Sequence, residues 1–127
     1  MSYNNSVKTP FIFSANEIEK GIVIIDIEGP VNSRHSPMLR EAIQKSFNKK
    51  KSIVIINMEK LEYMDSSGLA TIVEGLQLAE ATRGKFVLAG AINQKIMHLF
   101  EISRLDNLFE YYASVDEAKI KLMQPVS

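Results

Sequence analysis

The sequence predicts a single α/β domain in which helices pack on a mixed β-sheet. Runs of β-branched residues at 22–27 and 52–57 have the composition of buried strands. Stretches with helical apolar spacing alternate with such runs, as is typical of α/β proteins. Because no repeat or linker interrupts this pattern, we expect one domain over residues 11–123. Residues 1–10 are polar and are predicted to form a flexible tail.

The first strands are predicted to form an antiparallel pair. Residues 11–13 are expected to form a short edge strand, and residues 16–20 a polar turn ending at Gly21. The next strand, 22–27, is expected to stop at Gly29-Pro30. Because the link between the two strands is too short for a crossover, antiparallel pairing follows. The run 53–56 is apolar on both faces, which indicates a central strand covered by helices.

Capping residues predict where the helices begin and end. Ser36, followed by Pro37, is expected to cap the first helix. Gly84 is expected to be the left-handed residue that ends the second helix. Asn93 is expected to cap the third helix, which is followed by a last strand at 108–112. Ser114 and Glu117 form a capping box for a final helix.

Composition argues against several classes of function. Fifteen basic residues balance fifteen acidic ones, so nothing favours binding to nucleic acid or to an anionic membrane. The absence of cysteine excludes thiol chemistry and cysteine-based metal sites, and His35 and His98 lack metal-ligand spacing. No apolar run of about 18 residues occurs, and residues 1–10 lack the charged and apolar regions expected of a signal peptide. The prediction is a cytoplasmic protein without a metal or another cofactor and without a membrane span.

The motifs of common enzymes are also missing. Ser66 follows a strand and precedes a helix, but its neighbours do not form the Gly-x-Ser-x-Gly motif of hydrolases. Neither a phosphate-binding loop nor a dinucleotide-binding motif occurs. The chain is therefore predicted not to be an enzyme.

The functional site is predicted at Asp65-Ser66-Ser67-Gly68, where a buried strand meets the N-terminus of an amphipathic helix. The residues alone leave two interpretations open. In the first interpretation, the turn is only a helix cap, in which Asp65 or Ser66 accepts a backbone N–H and Gly68 allows close packing. In the second, an exposed serine accepts a phosphoryl group from a separate kinase, and the helix N-terminus tolerates the added charge.

In this context the motif Met64-Asp65-Ser66-Ser67-Gly68-Leu69 resembles the STAS domain, and most closely the anti-sigma-factor antagonists. Similarity extends from about Gly21 to Leu122 and includes the stretches 29–41, 86–90 and 102–109. The resemblance implies a mixed-sheet domain with four helices. It also implies that the unphosphorylated protein binds an anti-sigma factor that is a serine kinase, and that a serine phosphatase reverses the modification.

Carried over by position, the resemblance makes Ser66 the phosphoacceptor and Asp65 its acidic neighbour, while Ser67 and Gly68 shape the helix start. Three residues after the second predicted strand are expected to lie near the motif and to contact the partner: Asn32, Ser33 and Arg34.

Two positions depart from the family pattern, and two other functions remain open. Asn32 stands where many members carry Asp, and Arg104 where relatives often have glycine. One alternative function is an unphosphorylated STAS scaffold subunit of a transporter or signalling complex, against which the retained serine argues. A minor alternative is nucleotide binding by the domain itself.

Overall fold

A computed structural model describes residues 11–19, 21–48 and 52–123. The predicted tail 1–10 lies outside the described residues. The strands within these residues are β1 Ile12–Glu19, β2 Ile22–Val31, β3 Ile53–Met64, β4 Lys85–Ala89 and β5 Glu110–Tyr112. The helices are α1 Ser36–Ser46, α2 Ser66–Thr82, α3 Gln94–Ile102 and α4 Val115–Leu122. None of these helices has the length and apolar content of a membrane span.

The strands form one mixed sheet whose order follows the chain, β1-β2-β3-β4-β5. β1 is antiparallel to β2, and the remaining neighbours are parallel. The predicted mixed sheet and the predicted antiparallel pair are therefore confirmed. Since β2 and β3 run parallel, both strands end at the same edge of the sheet. The segments that follow them, before α1 and before α2, are thereby brought together.

The helices cover the two faces of the sheet unequally. The larger core cluster joins one face to α1, α2 and α3, and it contains Val54 and Ile56 of β3. The smaller cluster joins the other face to α4, and it contains Ile55. Successive side chains of a strand point to opposite faces, so a central strand covered on both sides is apolar throughout. The prediction of a central strand at 53–56 is confirmed.

Several predicted strand boundaries are wrong, and in two cases turn-forming residues lie within a strand. The expected turn at 16–20 is mostly strand: β1 continues to Glu19, which lies opposite Ile22. Gly29-Pro30 does not end β2, because the pairing with β3 shifts register between these two residues and then continues. Glycine and proline mark an irregularity of the ladder here. The last strand, β5, is shorter than predicted and begins at Glu110.

Two predicted caps are also wrong. The N-cap of α1 is His35, and no side chain caps it; Ser36 is already helical, and its hydroxyl donates to the backbone oxygen of Asn32 at 2.9 Å. The left-handed residue that ends α2 is Arg83, with φ 61°, rather than Gly84. Gly84 is needed for space, because a Cβ there would overlap the carbonyl oxygen of Ser52.

The other two predicted caps are confirmed. The Asn93 side chain accepts a hydrogen bond from the backbone of Ile96 at 3.2 Å. The Ser114 hydroxyl accepts from the backbone of Glu117 at 3.0 Å, and the Glu117 carboxylate in return accepts from Ala113 at 2.9 Å. Arg104 is left-handed with φ 60° just beyond α3. Glycine adopts this conformation without strain, so it would suit the position.

Helix α2 approaches β4 closely at Gly75. A Cβ at this glycine would lie 2.5 Å from the ring of Phe86, which is buried between the rings of Phe47 and Phe109. Because neighbouring rings hold Phe86, it has little room to move away.

We expect Gly75→Ala to lower the free energy of unfolding by about 1–2 kcal/mol, because overpacking outweighs the gain in helix propensity. Urea denaturation measures this change. An unchanged or raised free energy of unfolding would show that the core accommodates the added methyl group without overpacking.

Candidate functional site

The first turn of α2 lies against the segment that leaves β2. The backbone N–H of Asp65 donates to the carbonyl oxygen of Val31 at 3.1 Å. The backbone N–H of Ser33 donates to Oδ2 of Asp65 at 3.2 Å. The structure thus brings residues 32–34 next to residues 65–68, as the sequence predicted.

Asp65 is the N-cap of α2. Its Oδ1 accepts hydrogen bonds from the backbone N–H groups of Ser67 at 3.0 Å and of Gly68 at 3.1 Å. It also accepts the hydroxyl of Ser67 at 2.6 Å. The capping interpretation is therefore confirmed for Asp65. This cap makes no use of the Ser66 side chain.

The Asp65 carboxyl has opposing influences on its pKa. Partial burial raises it, but hydrogen bonds from the Ser67 hydroxyl and from the backbone N–H groups of Gly68, Ser67 and Ser33 lower it. The combined hydrogen bonds prevail, so the pKa lies below its usual value of 3.8. Asp65 is therefore ionised at neutral pH, and its charge is satisfied by donors of the protein itself.

Ser67 belongs to a chain of hydroxyl groups that joins α1 to α2. Its Oγ lies 2.9 Å from Oγ of Ser36, and either atom can be the donor. The hydroxyl hydrogen of Ser67 goes to Asp65, and the single hydroxyl hydrogen of Ser36 can go either to the carbonyl oxygen of Asn32 or to Oγ of Ser67. The Ser36 hydroxyl therefore lies in contact with the hydroxyl that completes the cap of α2.

Gly68 allows the first turn of α2 to pack against the ends of β2 and β3. A Cβ at this position would lie 2.7 Å from the side chain of Met64 and 3.0 Å from that of Val31. The predicted close packing at Gly68 is confirmed. Any side chain here would push the helix start, and Ser66 with it, away from the sheet.

Ser66 differs from its neighbours because it is exposed and its hydroxyl has no hydrogen-bond partner in the part of the chain that the structure describes. It is the first residue of α2. A serine nucleophile requires a base within hydrogen-bond reach, and none of the described residues takes that position. The described residues also contain no cluster of His, Cys, Asp and Glu that could hold a metal ion.

The segment Asn32-Ser33-Arg34 forms a turn whose side chains have different roles. Oδ1 of Asn32 accepts the backbone N–H of Arg34 at 2.9 Å, which is the bond of an Asx turn. Aspartate supplies the same acceptor, so the departure at Asn32 preserves the turn. The side chains of Ser33 and Arg34 are exposed and form no hydrogen bond or ion pair with other described residues.

A groove of about 330 Å³ lies beside Ser66, between the start of α2 and helix α3. Sequence reasoning missed most of its lining, which includes Tyr63, Lys95, His98, Leu99 and Ile102. The four residues from α3 have the spacing i, i+3, i+4 and i+7 and therefore share one helix face. That spacing could have identified the surface from the sequence.

Sequence reasoning also missed a polar connection between α1 and α2. Arg40 donates to Glu74 at 2.7 Å and to the hydroxyl of Thr71 at 3.4 Å. The Thr71 hydroxyl in turn donates to the carbonyl oxygen of Ser67 at 3.0 Å. Together with the contact between Ser36 and Ser67, these bonds hold the start of α2 against α1.

The lowered pKa of Asp65 predicts how its contribution to stability depends on pH. A carboxyl whose pKa is depressed by folding stabilises the protein above its unfolded pKa, and this stabilisation is lost as pH falls through the folded value. We expect Asp65→Asn to reduce the free energy of unfolding at pH 7. The deficit should shrink as pH falls below about 4.

Urea denaturation of both proteins between pH 7 and pH 3 measures this difference. Asp116→Asn is the control, because Asp116 is an exposed residue in the first turn of α4 and takes no part in this cap. A deficit for Asp65→Asn that stays constant with pH would contradict the charged cap.

Comparison with known proteins places this fold and site in a family. Residues 14–118 match the STAS domain. The anti-sigma-B factor antagonist of Listeria monocytogenes is 27% identical over 86 residues, which cover 68% of this chain and 75% of that relative. The structure of the anti-sigma factor antagonist SpoIIAA in its unphosphorylated form has a TM-score of 0.78 and 22% identity, and covers 91% of this chain and 100% of that one. The phosphorylated form of the Bacillus cell fate determinant SpoIIAA has a TM-score of 0.71 and 22% identity, with coverage of 87% and 99%. The chain belongs to the STAS domain family.

Proposed function

We propose that this protein is an anti-sigma-factor antagonist switched by phosphorylation at Ser66. In its unphosphorylated form it binds an anti-sigma factor with serine kinase activity, and this binding frees the sigma factor. The observation that carries the proposal is the exposed, unpartnered hydroxyl of Ser66, beside two residues whose polar groups are engaged in the cap. The names of the relative from Listeria and of SpoIIAA support the same role.

The chemistry of the switch is a change of charge on a preserved scaffold. Phosphorylation adds a charge of about −1.5 to −2, which the N-terminus of α2 tolerates. Since the Ser66 hydroxyl takes no part in the cap, its modification leaves the hydrogen bonds of Asp65 in place. The change therefore acts on the binding surface rather than on the fold.

The partner surface includes the predicted contacts Asp65, Ser67, Gly68, Asn32, Ser33 and Arg34. Among them, Ser33 and Arg34 offer free side chains beside Ser66, whereas Asp65, Ser67 and Gly68 act by positioning it. A phosphate in the centre of such an interface is unfavourable, because it must be desolvated against a surface that fits a hydroxyl. A penalty of about 1.4 kcal/mol already lowers affinity tenfold.

The phosphoryl chemistry is supplied by other proteins in this proposal. The anti-sigma factor provides the kinase, and a serine phosphatase removes the phosphate. The chain itself is a substrate and a binding protein, so it requires no cofactor, and we do not assign it an enzymatic activity.

The first test is the site of modification. Protein incubated with its anti-sigma factor and ATP should gain one phosphate on Ser66, detected by mass spectrometry of the intact chain and its peptides. Ser66→Ala should abolish the gain, whereas Ser14→Ala, at an exposed serine of β1, should retain it. Phosphate that persists in Ser66→Ala would place the modification elsewhere.

The second test is the effect of charge on binding. Ser66→Asp should weaken binding to the anti-sigma factor at least tenfold by isothermal calorimetry, because a carboxylate replaces the free hydroxyl at the interface. Ser14→Asp adds the same charge on β1 and should leave affinity unchanged. Equal affinity for wild type and Ser66→Asp would contradict the switch and would favour a scaffold role.

A further inference from the structure

The groove beside Ser66 contains a positively charged side chain without a partner. Lys95 lines the same groove as Ser66 and is exposed. It forms no ion pair or hydrogen bond with any residue that the structure describes. His98, one turn further along α3, adds an N–H donor to this groove. An unpartnered hydroxyl thus shares a concave surface with an unpartnered ammonium group.

The position of Lys95 in its helix is electrostatically unfavourable in the unmodified protein. It is the second residue of α3, close to the positive end of the helix dipole. The first turn of α3 contains no acidic residue that could offset its charge. The first turn of α2, which opens onto the same groove, also contains none beyond the Asp65 cap. Ser66 and Lys95, each in the first turn of its helix, therefore line one groove in which an anion would be stabilised.

We propose that Lys95 binds the phosphate group of phosphorylated Ser66 and links the start of α2 to α3 across the groove. This inference rests on the proposed function, since it requires a phosphate on Ser66. The ammonium group donates charge-assisted hydrogen bonds to the phosphate oxygens. In the structure the Asp65 carboxylate forms no ion pair with Lys95, and its oxygens accept hydrogen bonds from Ser33, Ser67 and Gly68 instead.

A phosphate bound to Lys95 changes the surface that the groove presents as well as the charge of the groove. Its apolar walls include Tyr63 and Ile102, which are 53% and 65% exposed. The phosphorylated protein then presents an ion pair beside these apolar walls, where the unmodified protein presents a free hydroxyl and a free ammonium group. Lys95 thereby determines how the modified surface is arranged.

The test uses the full chain with phosphoserine incorporated at position 66 during translation, followed by ³¹P NMR titration of the phosphate. Pairing with an ammonium group favours the dianion, so it lowers the second pKa of the phosphate. We expect Lys95→Met to raise that pKa by about 0.5, the size typical of an exposed ion pair. Lys95→Arg should keep the value of the wild type, since it keeps the charge.

Lys121→Met is the matched control, because Lys121 is an exposed lysine on α4, which packs on the opposite face of the sheet. It should leave the titration unchanged. The same phosphate pKa in wild type and Lys95→Met, or an equal rise in Lys121→Met, would overturn the proposal. Since no kinase is used, failure of the labelling test on Ser66 would remain a separate result that concerns only the proposed function.

Discussion

The carboxylate of Asp65 is the interaction on which the geometry of this site depends. One oxygen binds the first turn of α2, and the other accepts the N–H of Ser33 from the segment that leaves β2. Parallel pairing of β2 and β3 brings these two segments to one edge of the sheet, but the pairing alone does not fix their relative position. The shared carboxylate of Asp65 fixes that relative position. It is held by donors from both segments, so its charge stabilises the helix start and the turn together.

Capping and the proposed phosphorylation are compatible here because adjacent serines have different surroundings. Ser67 is partly buried, and its hydroxyl joins Asp65 to Ser36 of α1. Ser66 points to solvent from the same turn without a partner. A group added to Ser67 would break the cap, whereas a group added to Ser66 leaves every bond of the cap intact. The capping interpretation thus applies to Asp65 and Ser67, whereas the phosphoacceptor role that we propose applies to Ser66.

Sequence patterns predicted the features that depend on local chemistry. They failed where residues distant in the sequence determine the structure. The apolar run at 53–56 and the caps at Asn93 and Ser114 are local, and the structure confirms them. The left-handed residue after α2 was misassigned because the need for Gly84 comes from Ser52, which lies just before β3. The groove was missed because its walls come from the end of β3 and from α3, which only the fold brings together. In the candidate site, the motif 65–68 and its proximity to Ser33 were predicted, but the partners of each hydroxyl required coordinates.

The charge of Asp65 would oppose a second anion on Ser66 if the carboxylate were free. Its hydrogen bonds to Ser67, Gly68 and Ser33 instead direct it into the protein and keep its pKa low, so it acts as a compensated charge. The N–H groups at the helix start and the ammonium of Lys95 then leave the surroundings of Ser66 favourable to negative charge. In our proposal, phosphorylation of this site changes its surface charge without loss of the fold. This property separates a modification that regulates binding from one that unfolds the protein, and it follows from placing the capping carboxylate immediately before the exposed serine.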